Sequence, residues 1–401
     1  MCSSDLIGRA LGDASAGDTV RVCPGTYHEL PVVRTPGLTL EAARTGSAVI
    51  EPPTVGAAGA GAVLTVEDAN GARIIGLTIR VPSGPGGPAC ASEHDGIVVF
   101  DSAGVEIRGT TVRGVQGPRS GMCGLRHGIL TLDSPGILVA WNTIRDWQLI
   151  GIAVTGITLG QDVPSSRIIR NSLHWSHRGP LCDGLPPCTM PGPTGFAGTP
   201  PSGEVFMMAE GIVADTVPAI VRGNAVIATS TTAVLDSAYS LYTSRAKVRD
   251  NLARGAANGI YLAGSGGWVT GNDLADGDGT GILVRSWGDS CGAVAARMGK
   301  AAVCAARTGM GRLAISPCPG AVAGTVTSPC PWSLFRVRRN VATGYASYGI
   351  STDQAGDRFW HNDLRRNPGI ACADASGDPV LNRWVGNRGA RSLPAGLCGP
   401  R

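Results

Sequence analysis

The residues best equipped for chemistry stand just ahead of two Gly-Ile pairs. Glu93, His94 and Asp95 precede Gly96 in "EHDG", and Arg126 and His127 precede Gly128 in "LRHG". Paired carboxylates helped by histidine are what general acid–base cleavage of a glycosidic bond requires. The pattern assigns Glu93 and Asp95 as acid and base, His94 and His127 as their partners, and Arg126 to a substrate carboxylate. The competing use of the same residues is a hydrogen-bonded stack of turns under a loop. A second cluster, "HWSHRGPLCDG", holds His174 and His177 with Trp175 and Arg178. Metal binding there needs two more ligands and only Cys182 and Asp183 are near, so histidines in a loop beside a disulfide is the preferred assignment. Trp141, Trp147 and Trp175 would form either a sugar-stacking patch or a plug at the base of that loop.

The elements that would position these groups are repeats. Ala62–Ile79, Asp95–Val112 and His127–Ile144 align over 18 residues without a gap, with Asp seventh and Gly tenth in each. Shorter copies begin at Glu210, Asn258 and Tyr348, and degenerate ones at Ile150, Thr232, Thr280 and Pro368. Isoleucine follows the repeat glycine at 97, 129, 152, 212, 260, 282, 350 and 370, with a second core column two residues on. Spacing of two puts both columns on one face of a strand. A short period without helical pattern is that of a β-solenoid, in which one rung cannot bury its own face and the next rung completes it. A column of Asn (142, 171, 224, 251, 272, 340, 362 and 387) predicts an internal amide ladder. The Asp column (68, 101, 133, 215, 236 and 353) would be either a carboxylate row binding calcium and an acidic sugar chain or, preferably, turn chemistry. "DANG", "DSAG" and "DSPG" suit type I turns with Asp first and Gly fourth. The pattern names no definite cofactor and leaves the metal unassigned, with calcium as a candidate.

These phrases, with the opening "IGRALGDASAGDTVRVCPGTYHE", resemble right-handed parallel β-helix proteins of the pectin-lyase-like superfamily from about Ile7 to Pro400. The resemblance implies an all-β, single-stranded right-handed parallel β-helix of about eleven coils, forming one domain over 7–401. It implies that "DGI" and "HGI" lie where the superfamily's polygalacturonases place their catalytic strand. It also implies an N-terminal cap of which only the tail is kept, so that the intact protein extends further. The superfamily holds lyases, hydrolases, epimerases, adhesins and non-catalytic scaffolds, so fold alone does not choose an activity. This chain has no adjacent Asp-Asp pair and no Arg-x-Lys motif, and its outward column is Val98, Leu130, Ala153, Val213, Tyr261 and Leu283, which is apolar.

Two insertions, 175–205 and 286–331, interrupt the repeat and are rich in Pro, Gly and Cys. Twelve cysteines predict a disulfide framework made in an oxidising compartment. The local pairs are Cys182/Cys188, Cys291/Cys304, Cys318/Cys330 and Cys372/Cys398; Cys90 and Cys123 sit at matching places on neighbouring coils, and Cys23 is left over. No CxxC occurs, which argues against zinc. "MCSSDL" reads as a non-native leader, 1–6, from a sequencing adapter fused to a truncated frame, so a missing signal peptide says nothing of location.

Bulk composition narrows the classes. With 43% apolar residues, 16% charged residues and a net charge of +4, the chain is neither disordered nor a dedicated nucleic-acid binder. Its 32 Arg against 2 Lys reads as coding bias. No run of 18 apolar residues predicts a membrane span. The sequence-based expectation is a secreted monomer acting on a polyuronate or similar polysaccharide as a lyase, hydrolase or epimerase. The alternative is an extracellular binding or structural scaffold.

Overall fold

The computed structural model describes residues 6–53, 61–81, 94–114, 125–156, 164–176, 209–215, 217–229, 235–242, 246–263, 266–285, 303–307, 313–317, 335–354, 356–376 and 382–399. Three parallel sheets of 12, 10 and 12 strands run along the molecule; successive coils add a strand to each in turn, and the second sheet ends two coils before the other two. The first sheet runs from Thr19–Val22 to Arg383–Val385, the second from Gly25–His28 to Val341–Thr343, and the third from Val32–Val33 to Ser392–Leu393. This is the expected parallel β-helix, with a coil count close to eleven. The opening helix, Ile7–Asp13, buries Ile7 and Leu11 against the first coil, and the Glu29 carboxylate accepts the Ile7 and Gly8 amides at 2.7 and 2.9 Å. No helix among the described residues is long and apolar enough to cross a membrane.

The isoleucine columns stack as the period of two requires. Ile97, Ile129, Ile152, Ile212, Ile260, Ile282 and Ile350 are all buried in one core. The glycine ahead of them has a packing cause. A Cβ on Gly128 would lie 2.4 Å from the Gly151 carbonyl oxygen and 2.5 Å from Ile144 Cγ2, and Gly96 is crowded in the same way by Gly128. We expect Gly128→Ala to lower stability by about 1–3 kcal/mol, the usual range for an overpacked core. Gly104→Ala, where only a φ of +67° resists and no atom lies within 4 Å, should cost about 1 kcal/mol. Paired thermal melts check the order of the two.

The Asn column is a continuous ladder. Each amide nitrogen from Asn142 to Asn362 donates to the Asn side-chain oxygen of the next coil at 2.8–3.0 Å. The Asp column holds only in part. Asp68, Asp101 and Asp133 do form corners, in the left-handed region at φ +52°, +45° and +48°. The turn lies one residue further on than expected: the Ala72 amide donates to the Ala69 carbonyl, with Gly71 third at φ +72°, which is type II geometry. The Ala69 and Ser102 amides are taken by the hydroxyls of Ser102 and Ser134, at 2.9 and 3.0 Å.

Two degenerate copies are re-phased by the structure. In the coil assigned to Thr232, Ser237 pairs with Glu210, Tyr239 with Ile212 and Tyr242 with Asp215, so Asp236 is not a corner residue. In the coil assigned to Pro368, Ala371 rather than Gly369 follows the glycine column, because Ile370 pairs with Tyr348 and Cys372 with Ile350. In both cases another small residue, Ala238 or Ala371, fills the crowded position and mimics a shifted repeat.

Cys372 and Cys398 form the expected disulfide, with Cα atoms 6.0 Å apart. Cys23, expected to be unpaired, is disulfide-bonded as well. The pairings assigned to Cys90/Cys123, Cys182/Cys188, Cys291/Cys304 and Cys318/Cys330 lie outside the described side chains, as do most of both insertions. Within the second insertion the backbone forms an antiparallel hairpin, Val303–Arg307 with Leu313–Pro317.

Candidate functional site

The expected cluster divides into a bonded triad and a separate histidine. Asp95 and His127 occupy neighbouring strands, His94–Phe100 and His127–Leu132. Asp95 Oδ1 accepts from His127 Nδ1 at 2.8 Å and from the His127 amide at 3.2 Å; Arg126 reaches both Asp95 oxygens at 3.2 Å. Burial would raise the Asp95 pKa, but the His127 hydrogen bond and the His127 and Arg126 charges outweigh it and hold it below the usual carboxylate range. Asp95 is therefore placed as an acceptor that orients His127. In the neutral ring, Nδ1 donating to Asp95 puts the lone pair on Nε2. His94 is buried and its Nδ1 bonds the Gly61 carbonyl at 3.1 Å, so it serves the backbone. Glu93 lies outside the described residues.

A second centre, missed in the sequence, lies along the same row of the third sheet. His127 pairs with Ile150, and Ile150 with Glu210, which places Glu210 two coils from His127, about 10 Å at the usual strand spacing. Glu210 Oε1 accepts from Ser240 Oγ and, at 3.3 Å, from Tyr242 OH. Its strand is pinned by the indole of buried Trp147, which donates to the Glu210 carbonyl at 2.8 Å. Burial pushes the Glu210 pKa up to about 7; the charges of Asp236 and Asp215 add to this, while the Ser240 and Tyr242 bonds oppose it. Burial also raises Asp236, whose Oδ2 accepts from Ser237 at 3.1 Å. Tyr261, pushed up to about 12 chiefly by burial, tilts against Tyr242 with ring centres 5.5 Å apart, and Arg285 and Asp353 pair at 3.3 Å on the next coils.

Sequence reasoning placed Glu210 in the row ahead of the glycines but gave it no partners. Its partners come from the coil that the Thr232 phasing misaligned, which hid Ser240 and Tyr242. The tryptophans are settled unevenly. Trp147 and Trp175 are fully buried plugs, whereas Trp141 is exposed, so the three form no common patch. His174 accepts or donates at Ser172 Oγ, 2.9 Å away; His177, Arg178, Cys182 and Asp183 lie outside the described residues. Among the described residues no group of three or more His, Cys, Asp or Glu is placed to hold a metal ion.

Fold and site together define a right-handed parallel β-helix with ionisable groups strung along one sheet. The chain belongs to the family described as "Right handed beta helix region", whose model matches residues 66–294. Comparison with curated proteins finds no match. Among solved structures, the catalytic unit of a thermostable GH87 α-1,3-glucanase from Streptomyces thermodiastaticus strain HF3-3 aligns with 98% of this chain at TM-score 0.50 and 10% identity. The chain spans 66% of that catalytic unit, just under two thirds. A PL6 alginate lyase complexed with a trisaccharide aligns at TM-score 0.48 and 10% identity, covering 98% of this chain and 83% of its own. The A-module of the mannuronan C-5 epimerase AlgE4 from Azotobacter vinelandii aligns at TM-score 0.40 and 15% identity, covering 96% and 92%. At such identities the likeness is one of fold.

Proposed function

We propose that this protein is a secreted carbohydrate-active enzyme that cleaves a polyuronate-like polysaccharide laid across the coils of the third sheet. The carrying observation is the pairing, along one row, of a carboxyl that holds its proton near neutral pH with a histidine oriented by an ionised aspartate. Groups whose surroundings push their proton affinities apart are the usual mark of an acid and a base. In β-elimination, His127 Nε2 would take the proton next to the uronate carboxylate, the electron pair would form the double bond, and Glu210 would protonate the departing glycosidic oxygen. Arg126 supplies positive charge at the His127 end, where a uronate carboxylate would sit. In this reading Glu210 takes the acid role, and Asp95 orients His127. Disulfide bonding at Cys23, Cys372 and Cys398 supports an oxidising compartment and hence secretion. The structural likeness to an α-1,3-glucanase catalytic unit is consistent with a glycan substrate.

The test is incubation of the protein with polygalacturonate, polymannuronate and neutral glucans, reading new reducing ends and the ultraviolet absorbance of unsaturated uronates. Unsaturated product from an acidic polymer is expected. Reducing ends without that absorbance would indicate hydrolysis instead, and silence on every polymer would favour a binding scaffold.

A further inference from the structure

The first sheet carries an arginine array that the groups on the third sheet do not use. Over its last five strands, from Ala246–Arg249 to Arg383–Val385, the inward residues Val248, Val269, Val337 and Phe359 are buried. The alternating outward positions form two rows. One runs Lys247, Trp268, Arg336, Arg358, Arg383, each in direct register with the next. The other includes Arg249, Arg338 and Trp360. No carboxylate occupies either row, and among the described residues none of these six cations forms an ion pair.

Like charges directly opposite on adjacent strands are destabilising. Arg336, Arg358 and Arg383 stack this way on three successive coils, and all three side chains are exposed. A merely solvated face has no need to put guanidinium over guanidinium. The array is also shaped. Arg336 and Arg338 lie over the Trp268 ring at 4.5 and 5.3 Å, within cation–π range. Beside them a cleft of about 250 Å³ is lined by Arg358, Trp360, His361, Arg383 and Val385. Guanidinium groups repeating at the coil spacing beside an indole suit a ligand that repeats a carboxylate along an extended chain and offers an apolar sugar face between.

We infer that this face of the first sheet is a second binding surface, for an anionic polysaccharide carrying a carboxylate on each sugar. It rests on the same substrate class as the proposed activity but not on the Glu210 centre. Affinity electrophoresis in gels containing polygalacturonate, with dextran gels as control, tests it. The wild-type protein should be retarded by polygalacturonate and not by dextran, less so as salt is raised. The triple variant R336Q/R358Q/R383Q should lose roughly ten- to a hundredfold in affinity, the combined effect of three exposed charge pairs. Its melting temperature should not fall, because repulsion is relieved; the milder R358Q/R383Q serves if the triple variant does not fold. Glu210→Gln should be retarded like wild type, which separates this surface from the activity. Unretarded wild type, an unchanged triple variant, or tighter retention of single-stranded DNA than of polygalacturonate would each overturn the inference.

Discussion

Glu210→Gln is expected to lower turnover on the cleaved polysaccharide by about 10²–10⁴, the usual share of a positioned acid or base. Glutamine keeps the shape and still accepts from Ser240 and Tyr242, but it has no proton to give. The loss should fall on kcat, with substrate affinity largely kept. Glu210 carries its proton below about pH 7, so wild-type activity should decline as pH rises through that value. His127→Ala should lower turnover by a similar factor, and Asp95→Asn by less, by presenting His127 in the wrong tautomer. A glutamine variant that turns over within about threefold of wild type would remove Glu210 from the chemistry; the magnitude excludes a general acid.

The same substitution has a stability signature that needs no substrate. The folded state raises the Glu210 pKa from 4.5 to about 7, chiefly by burial. Between those values the folded chain holds a proton that the unfolded chain has released. Stability therefore falls as pH rises across that window and is level above it, by an upper bound of about 3 kcal/mol. Glu210→Gln should flatten this part of the curve and be the more stable form near pH 8. Thermal melts of both proteins between pH 4 and 8 read the difference. Parallel curves would mean that the carboxyl is not held protonated.

The solenoid was legible because its causes are periodic: a period of two in the core, a glycine excluded by the next coil's carbonyl, and an amide that bonds its own copy. The site was less legible because its contacts run between coils. Asp95 and His127 could be matched, since their copies align without a gap, and they do bond. Glu210 could not, because its partners Ser240 and Tyr242 follow an alanine where the repeat has glycine. The arginine array was hidden for the same reason. Arg336, Arg358 and Arg383 are more than twenty residues apart along the chain and meet only through register.

Replacing Asn251 by leucine should destabilise the solenoid strongly, by about 2–6 kcal/mol. Volume is nearly conserved, so cavity and overpacking terms are small. What changes is hydrogen bonding at a site only 2% exposed. Asn251 Oδ1 accepts from the Asn224 amide at 2.9 Å and from Asn224 Nδ2 at 3.0 Å. Its Nδ2 donates to the Val221 carbonyl at 3.0 Å and to Asn272 Oδ1 at 2.9 Å. Leucine leaves the Asn224 amide and the Val221 carbonyl without those partners where water cannot replace them, at about 1–3 kcal/mol each. Near the ladder's N-terminal end the chain itself shows a gentler alternative. Thr110 stands one coil ahead of Asn142, donates its amide to Asn142 Oδ1 at 2.9 Å and turns its hydroxyl to the Arg108 carbonyl. Asn142→Thr should therefore cost less, about 1–2 kcal/mol. Because each coil contacts only its neighbours, a broken middle rung also weakens the coupling between the two halves. Asn251→Leu should then melt lower and in a broader transition than wild type, whereas Asn142→Thr should keep a single sharp one. Melting of Asn251→Leu within about a degree of wild type would show that the ladder serves register rather than stability.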